Sequence, residues 1–93
     1  MRQRASGETV ISFEETAFAE LCQWEKDDKK IFEKIGRLII EVARNPFRGT
    51  GKPEPLKGNL SGHWSRRITE EHRLVYKVQN DQIVIISCKF HYN

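Results

Sequence analysis

Six apolar residues, Ile31, Phe32, Ile35, Leu38, Ile39 and Val42, stand at offsets 0, +1, +4, +7, +8 and +11. A helix of 3.6-residue period places all six on one wide face, and such a face must be covered. In a chain of 93 residues the cover has to be small. There is room for one sheet and one or two helices, burying about 60–65% of the unfolded surface. The helix carries its own stops. Asp27 and Asp28 offer a cap before it. Asn45-Pro46 ends it, since proline disfavours helix in the residue that precedes it. Gly36 sits inside at a cost of about 1 kcal/mol relative to alanine, and close approach by another backbone is the expected reason.

Upstream, residues 9–11 form a short β-type run. Ser12 and Glu15 then have the S-x-x-E spacing of a capping box, so a first helix is expected to begin there. Phe18, Leu21, Cys22 and then Trp24 or Glu25 continue it at i, i+3, i+4, i+7. Both stripes read as core-facing rather than as ligand grooves. Residues 46–62 hold all three prolines and four of the six glycines, which makes them a loop. Residues 63–69, 73–78 and 82–90 read as strands, with Leu74, Tyr76 and Val78 alternating with Arg73, Val75 and Lys77. Asn80-Asp81 marks a hairpin turn. Val84, Ile85 and Ile86 are apolar on both sides, as in a central strand. The expected fold is α+β, with two N-terminal helices packed on one face of a small, mainly antiparallel β-sheet. The other face, with Arg66 or Arg67, Arg73 and Lys77, is then open and basic. Residues 9–93 read as one domain and residues 1–8 as an N-terminal extension.

Charge is unevenly placed. From residue 44 to residue 77 there are eight basic and three acidic side chains, a net +5 in a chain whose total is +3. Such asymmetry suits a phosphate-bearing partner, and equally a solvated basic face with none. No apolar run approaches the roughly 18–20 residues that span a bilayer, and MRQRASGE lacks the apolar segment of a secretory signal. Cys22 and Cys88 match no metal spacing and read as reduced and buried in a cytoplasmic protein. There is no phosphate-binding glycine loop and no dinucleotide fingerprint. His72, Cys88 and His91 lack the order and spacing of a zinc site. The expectation is a chain without metal or cofactor.

What remains is a basic segment with one glutamate, Glu54, held between Pro53 and Pro55. Read from composition, Glu54 is either a neutralising counter-charge or a base kept in place by its prolines. RNA cleavage without metal needs a base for the 2′-hydroxyl, an acid for the leaving 5′-oxygen and cations for the transition state.

The stretch GKPEPLKGNLSGHWSRRITEEHRLVY, the ending CKFHY, Pro46-Phe47 and the run WEKDDKK at 24–30 resemble the YoeB toxins of bacterial toxin–antitoxin modules, within the RelE-like superfamily. The resemblance runs from about residue 9 to residue 92. It implies an mRNA endonuclease that enters the ribosomal A site and cuts by metal-independent attack of the 2′-hydroxyl. By that likeness Glu54 matches the general base, His91 the general acid and Arg73 the arginine at the scissile phosphate. Lys52, Lys57, Arg66 and Arg67 fall in the same motif and are assigned to RNA or phosphate contacts. Tyr92 matches a terminal tyrosine that stacks on a base or orders the tail. The implied partners are the 70S ribosome with mRNA, a YefM-like antitoxin, a second copy of the chain, and operator DNA only through the antitoxin complex. The same scaffold occurs in ParE-type toxins that act on DNA gyrase, so a non-enzymatic binder is the alternative. Asn93 follows the tyrosine at which the family pattern ends, and residues 1–8 precede that pattern.

One expectation comes from register. A two-residue turn at Asn80-Asp81 sets Arg73 opposite Cys88 and turns His91 to the wrong face. A bulge, a longer turn or a bend after Phe90 is required to bring His91 round.

Overall fold

The computed structural model describes residues 9–90. Residues 1–8 and 91–93, with His91, Tyr92 and Asn93, lie outside the described residues. The chain runs through β1 (Val10–Phe13), α1 (Glu15–Asp27), α2 (Lys29–Arg44), β2 (Glu54–Pro55), β3 (His63–Arg67), β4 (Arg73–Gln79) and β5 (Gln82–Ser87), with one 3-10 turn at Gly58–Leu60. The five strands form one sheet in the order β1-β5-β4-β3-β2. β2 to β5 make an antiparallel meander. β1 joins β5 in parallel, with Ile11 opposite Ile83 and Phe13 opposite Ile85. The fold is α+β with a mixed sheet, and the helices cover one face of it.

α2 forms as its periodicity predicts. Asp28 caps it, its Oδ1 accepting from the N–H groups of Lys30 and Ile31, which satisfies two of the helix's orphan donors. Ile35, Leu38, Ile39 and Val42 are buried. They meet Leu74, Tyr76, Ile83 and Ile85 of the sheet, with Ala17 and Trp24 of α1 completing the core. Trp24 also donates from Nε1 to the Cys88 carbonyl at 2.9 Å, so its polar edge is satisfied where its ring is buried.

Three local signals are not followed in the fold. Ser12 does not cap α1. It lies in β1, because the strand continues to Phe13 and the Glu14 N–H donates to the Ile85 carbonyl. The cap position passes to Glu14, which makes no side-chain cap bond. The buried side of α1 is accordingly Ala17 and Trp24, while Phe18 is 56% exposed. Cys22 is exposed rather than buried, and both cysteines are free. No backbone approaches Gly36; a Cβ there would meet nothing within 4 Å. Residue 36 instead floors an open apolar groove with Phe13, Leu21, Phe32, Ile39 and Ile40.

The hairpin holds its two-residue turn. Asn80 and Asp81 both have positive φ, 50° and 64°, as a type I′ turn requires. Pairing is regular from Gln79–Gln82 to Tyr76–Ile85 and then slips, setting Val75 opposite Ser87. The extra residue, Ile86, makes a β-bulge. It turns Ser87 to the face away from the helices, the reversal that the register argument demands. Beyond it the Arg73 N–H donates to the Phe90 carbonyl at 2.9 Å, and Phe90 itself adopts φ 61°.

Candidate active site

The face away from the helices is built by alternation. On β3, His63, Ser65 and Arg67 point one way and Trp64 and Arg66 the other. Cross-strand pairing then makes rows. Glu54 lies opposite Ser65, Ser65 opposite Val75, and Val75 opposite Ser87. Arg67 lies opposite Arg73, and His63 opposite Lys77. Glu54 therefore stands beside the two arginines although it comes from a separate loop. Gly51, Lys52, Glu54, Ser65, Arg67 and Arg73 line a polar hollow of about 70 Å³.

Each side chain has a local reason for its place. Arg73 is half-buried, and its Nη1 donates to the carbonyls of Thr69 at 2.7 Å, Glu70 at 3.2 Å and His72 at 3.2 Å. Those carbonyls hold one arm of the fork. Its Nε and Nη2 make no hydrogen bond among the described residues, leaving donors for an anion of the hollow. Glu54 sits on a two-residue edge strand between prolines, with φ at 53 and 55 restricted by the rings. Lys52 adopts φ 51° between Gly51 and Pro53, a left-handed conformation unusual for a lysine. Glu54, Lys52 and Arg67 are exposed.

Not every residue of the motif comes to the hollow. Lys57 is exposed on the loop after β2 and does not line it. Arg66 faces the helices and is 0% exposed, so the RNA contact expected of it is not where the fold puts its guanidinium. The physical reason is strand alternation beside Arg67. His91 and Tyr92 lie outside the described residues. His72 is a packing residue: its Nδ1 accepts from the Phe90 N–H at 2.8 Å, and its ring stands edge-on to Trp24 at 4.8 Å. Ser65 is the site residue that the motif reading passed over. Period two along β3 carries its signal, since whatever face holds Arg67 also holds residue 65. Among the described residues no group of three His, Cys, Asp or Glu side chains is arranged to hold a metal ion.

A two-helix layer on a mixed sheet is also the architecture of known bacterial toxins. The family model for the YoeB-like toxin of bacterial type II toxin–antitoxin systems matches residues 13–92. Toxin YoeB of Escherichia coli K12 is 54% identical over 82 residues, covering 88% of this chain and 98% of that protein. Toxin YoeB of Streptomyces coelicolor is 51% identical with the same coverage. The YoeB/ParE toxin from Agrobacterium tumefaciens superposes with a TM-score of 0.88 at 43% identity, covering 90% of this chain and 100% of that one. A YoeB dimer from Staphylococcus aureus gives 0.84 at 46% identity, covering 91% and 99%. A heterotetrameric YoeB–YefM toxin–antitoxin complex from the same organism gives 0.82 at 47%, covering 90% and 98%. The chain belongs to the YoeB-like toxins of bacterial type II toxin–antitoxin systems.

Proposed function

We propose that this toxin is a ribosome-dependent mRNA endonuclease that cuts mRNA in the A site and so stops translation. The observation that carries the reading is Glu54 set beside Arg67 and Arg73 around one hollow. A counter-charge alone needs no two-proline brace. In the proposed reaction the Glu54 carboxylate takes the proton of a 2′-hydroxyl, and that oxygen attacks the adjacent phosphorus. The bond to the 5′-oxygen breaks, and His91 protonates the departing oxygen. The products are a 2′,3′-cyclic phosphate, open to hydrolysis to a 3′-phosphate, and a 5′-hydroxyl. The free donors of Arg73 bind the non-bridging oxygens, where negative charge grows in the transition state. Arg67, Lys52 and Lys57 hold flanking phosphates, and Tyr92 stacks on a base or orders the tail. No metal or cofactor takes part.

The hollow is small and open. The ribosome therefore supplies the alignment of the substrate in line with Glu54, a contribution that can reach several powers of ten. The cytoplasm is the compartment this substrate implies. A YefM-like antitoxin is the partner, a reading supported by the Staphylococcus aureus complex, and an acidic segment of it covers and silences the basic face, as suits the net +5 of residues 44–77. Dimerisation and operator DNA binding through the antitoxin complex complete the proposal. Residues 9–93 act as the toxin domain and residues 1–8 as an extension of it.

The test is cleavage of a defined mRNA on a programmed ribosome, with the ends mapped, by wild type, Glu54→Ala, Arg73→Ala and His91→Ala. A cut at the A-site codon that needs the ribosome, survives EDTA under conditions that keep the ribosome intact and fades in all three variants is the expected result. Binding without cleavage by wild type would favour a non-enzymatic binder. Rapid cleavage of naked RNA at any codon would remove the ribosome from the mechanism.

A further inference from the structure

We infer that Arg66 is a positioning residue, which grips the loop leaving α2 and thereby sets where Glu54 stands relative to Arg67 and Arg73. The grip itself is independent of the proposed reaction; its effect on cleavage rests on that reading.

All five N–H groups of the Arg66 guanidinium have an acceptor. Nε donates to Tyr76 Oη at 3.2 Å, and Nη1 to Glu41 Oε1 at 3.1 Å and the Thr50 carbonyl at 3.3 Å. Nη2 donates to the carbonyls of Asn45 at 2.5 Å and Arg48 at 2.8 Å. Three of the five acceptors are thus backbone oxygens of one short loop. The other two also return to that loop. Glu41 Oε1 accepts from the Thr50 N–H at 2.6 Å, and Tyr76 Oη donates to the Pro46 carbonyl at 2.5 Å. The loop is held at residues 45, 46, 48 and 50 by one buried fork and its two partners. A planar guanidinium with five fixed donors can do this; a lysine ammonium cannot.

The restraint has a short path to the site. Directly after Thr50, the Gly51 carbonyl accepts from the Arg67 N–H at 2.6 Å. A Cβ on Gly51 would lie 2.9 Å from the Arg67 carbonyl, so the backbone is seated against β3. Lys52, Pro53 and Glu54 follow. The prolines remove soft torsions between Gly51 and Glu54. β2 is only two residues long and lies at the sheet edge, held to β3 by the pairing of Glu54 with Ser65 and of Pro55 with Trp64. The Leu56 N–H extends that pairing by donating to the His63 carbonyl. On so short an edge ladder, the position of Glu54 also depends on what holds residues 45–51. The dipeptide Arg66-Arg67 then divides the labour by alternation, one arginine fixing the loop and the other facing the hollow.

Tyr76→Phe and Glu41→Gln loosen the grip while keeping the Arg66 charge, and Arg66→Lys abolishes the fork. Amide hydrogen exchange on the free toxin reads the first half of the inference. In Tyr76→Phe and Glu41→Gln the Leu56 and Arg67 amides should exchange at least about 5-fold faster while those of Ile83 and Ile85 keep their wild-type rates. Unchanged exchange at Leu56 and Arg67 would overturn the grip. Single-turnover cleavage on programmed ribosomes reads the second half. Both variants should cut on the order of 10-fold more slowly at saturation, with half-saturation unchanged, since a small misplacement of a reacting group costs rate rather than binding. In a Glu54→Ala background the same substitutions should cost nothing further. An equal loss in both backgrounds would overturn the action through Glu54. A wild type that cuts nothing would remove the proposed reaction and leave the exchange result to decide the grip.

Discussion

Burial separates the two thiols of this chain. Cys88 is 0% exposed, and burial, with a smaller push from the Glu20 carboxylate, holds its thiol up at about 12. Cys22 is exposed. A thiol-reactive dye should therefore label one group per native chain, and the second only in denaturant. Labelling of both at similar rates in native buffer would contradict the packing of Cys88 against α1. At the hollow, Glu54→Gln keeps size and loses the base, so cleavage on the ribosome should fall about 10²–10⁴-fold with RNA binding retained. Arg73→Lys keeps a charge without the fork and should not restore the rate. Only the likeness to the YoeB toxins gave Glu54 and Arg73 their roles; sequence pattern set Glu54 apart by its prolines and put Arg73 on the open face. It could not separate Arg66 from Arg67. Adjacent arginines are alike in composition, and only the pairing of β3 with β4 says which one meets solvent.

Among the elements, α2 was the most legible. Its stripe, its Asp28 cap and its Asn45-Pro46 end are all local signals, and local signals survive in the fold when burial agrees with them. Leu38→Ala should lower unfolding stability by about 2–5 kcal/mol, measured by denaturant titration. Phe18→Ala should cost much less, because that ring is mostly in solvent. α1 was less legible. Its start depends on how far β1 extends, and β1 extends because a partner strand more than 70 residues away in sequence is there to pair with it. The loop between α2 and β3 carries a pH signature. The Glu41 carboxyl is held below its ordinary 4.5, chiefly by the Thr50 backbone N–H, with Arg66 adding to the effect. A depressed carboxyl contributes stability that is present above 4.5 and is lost as pH falls through its lower native value. Wild type should accordingly lose its advantage over Glu41→Gln across that acid window, as followed by denaturant midpoints at stepped pH. A gap between the two that does not narrow on acidification would contradict this origin.

At the scale of the molecule, the helices occupy one face of the sheet and leave the other to cations. No helix among the described residues is long and apolar enough to cross a membrane. If the open face holds RNA through three or four phosphates, log K for a single-stranded RNA should fall with log salt at a slope of about −2 to −3. Arg67→Ala should flatten that slope by about 0.7, one phosphate's share. Arg66→Lys should leave the slope unchanged, because residue 66 faces away from the RNA. The sheet shows most clearly what each level of structure decides. Alternation and periodicity along the chain determined the α+β class, the two helices and the hairpin turn at Asn80-Asp81. Those are short-range consequences of backbone geometry. The parallel seat of β1 beside β5, the place of the bulge at Ile86, the approach of Glu54 to Arg67 and Arg73, and the turning inward of Arg66 were decided by the tertiary structure alone. Each depends on which distant backbone groups find one another, and register between strands has no counterpart in the order of residues along a single strand.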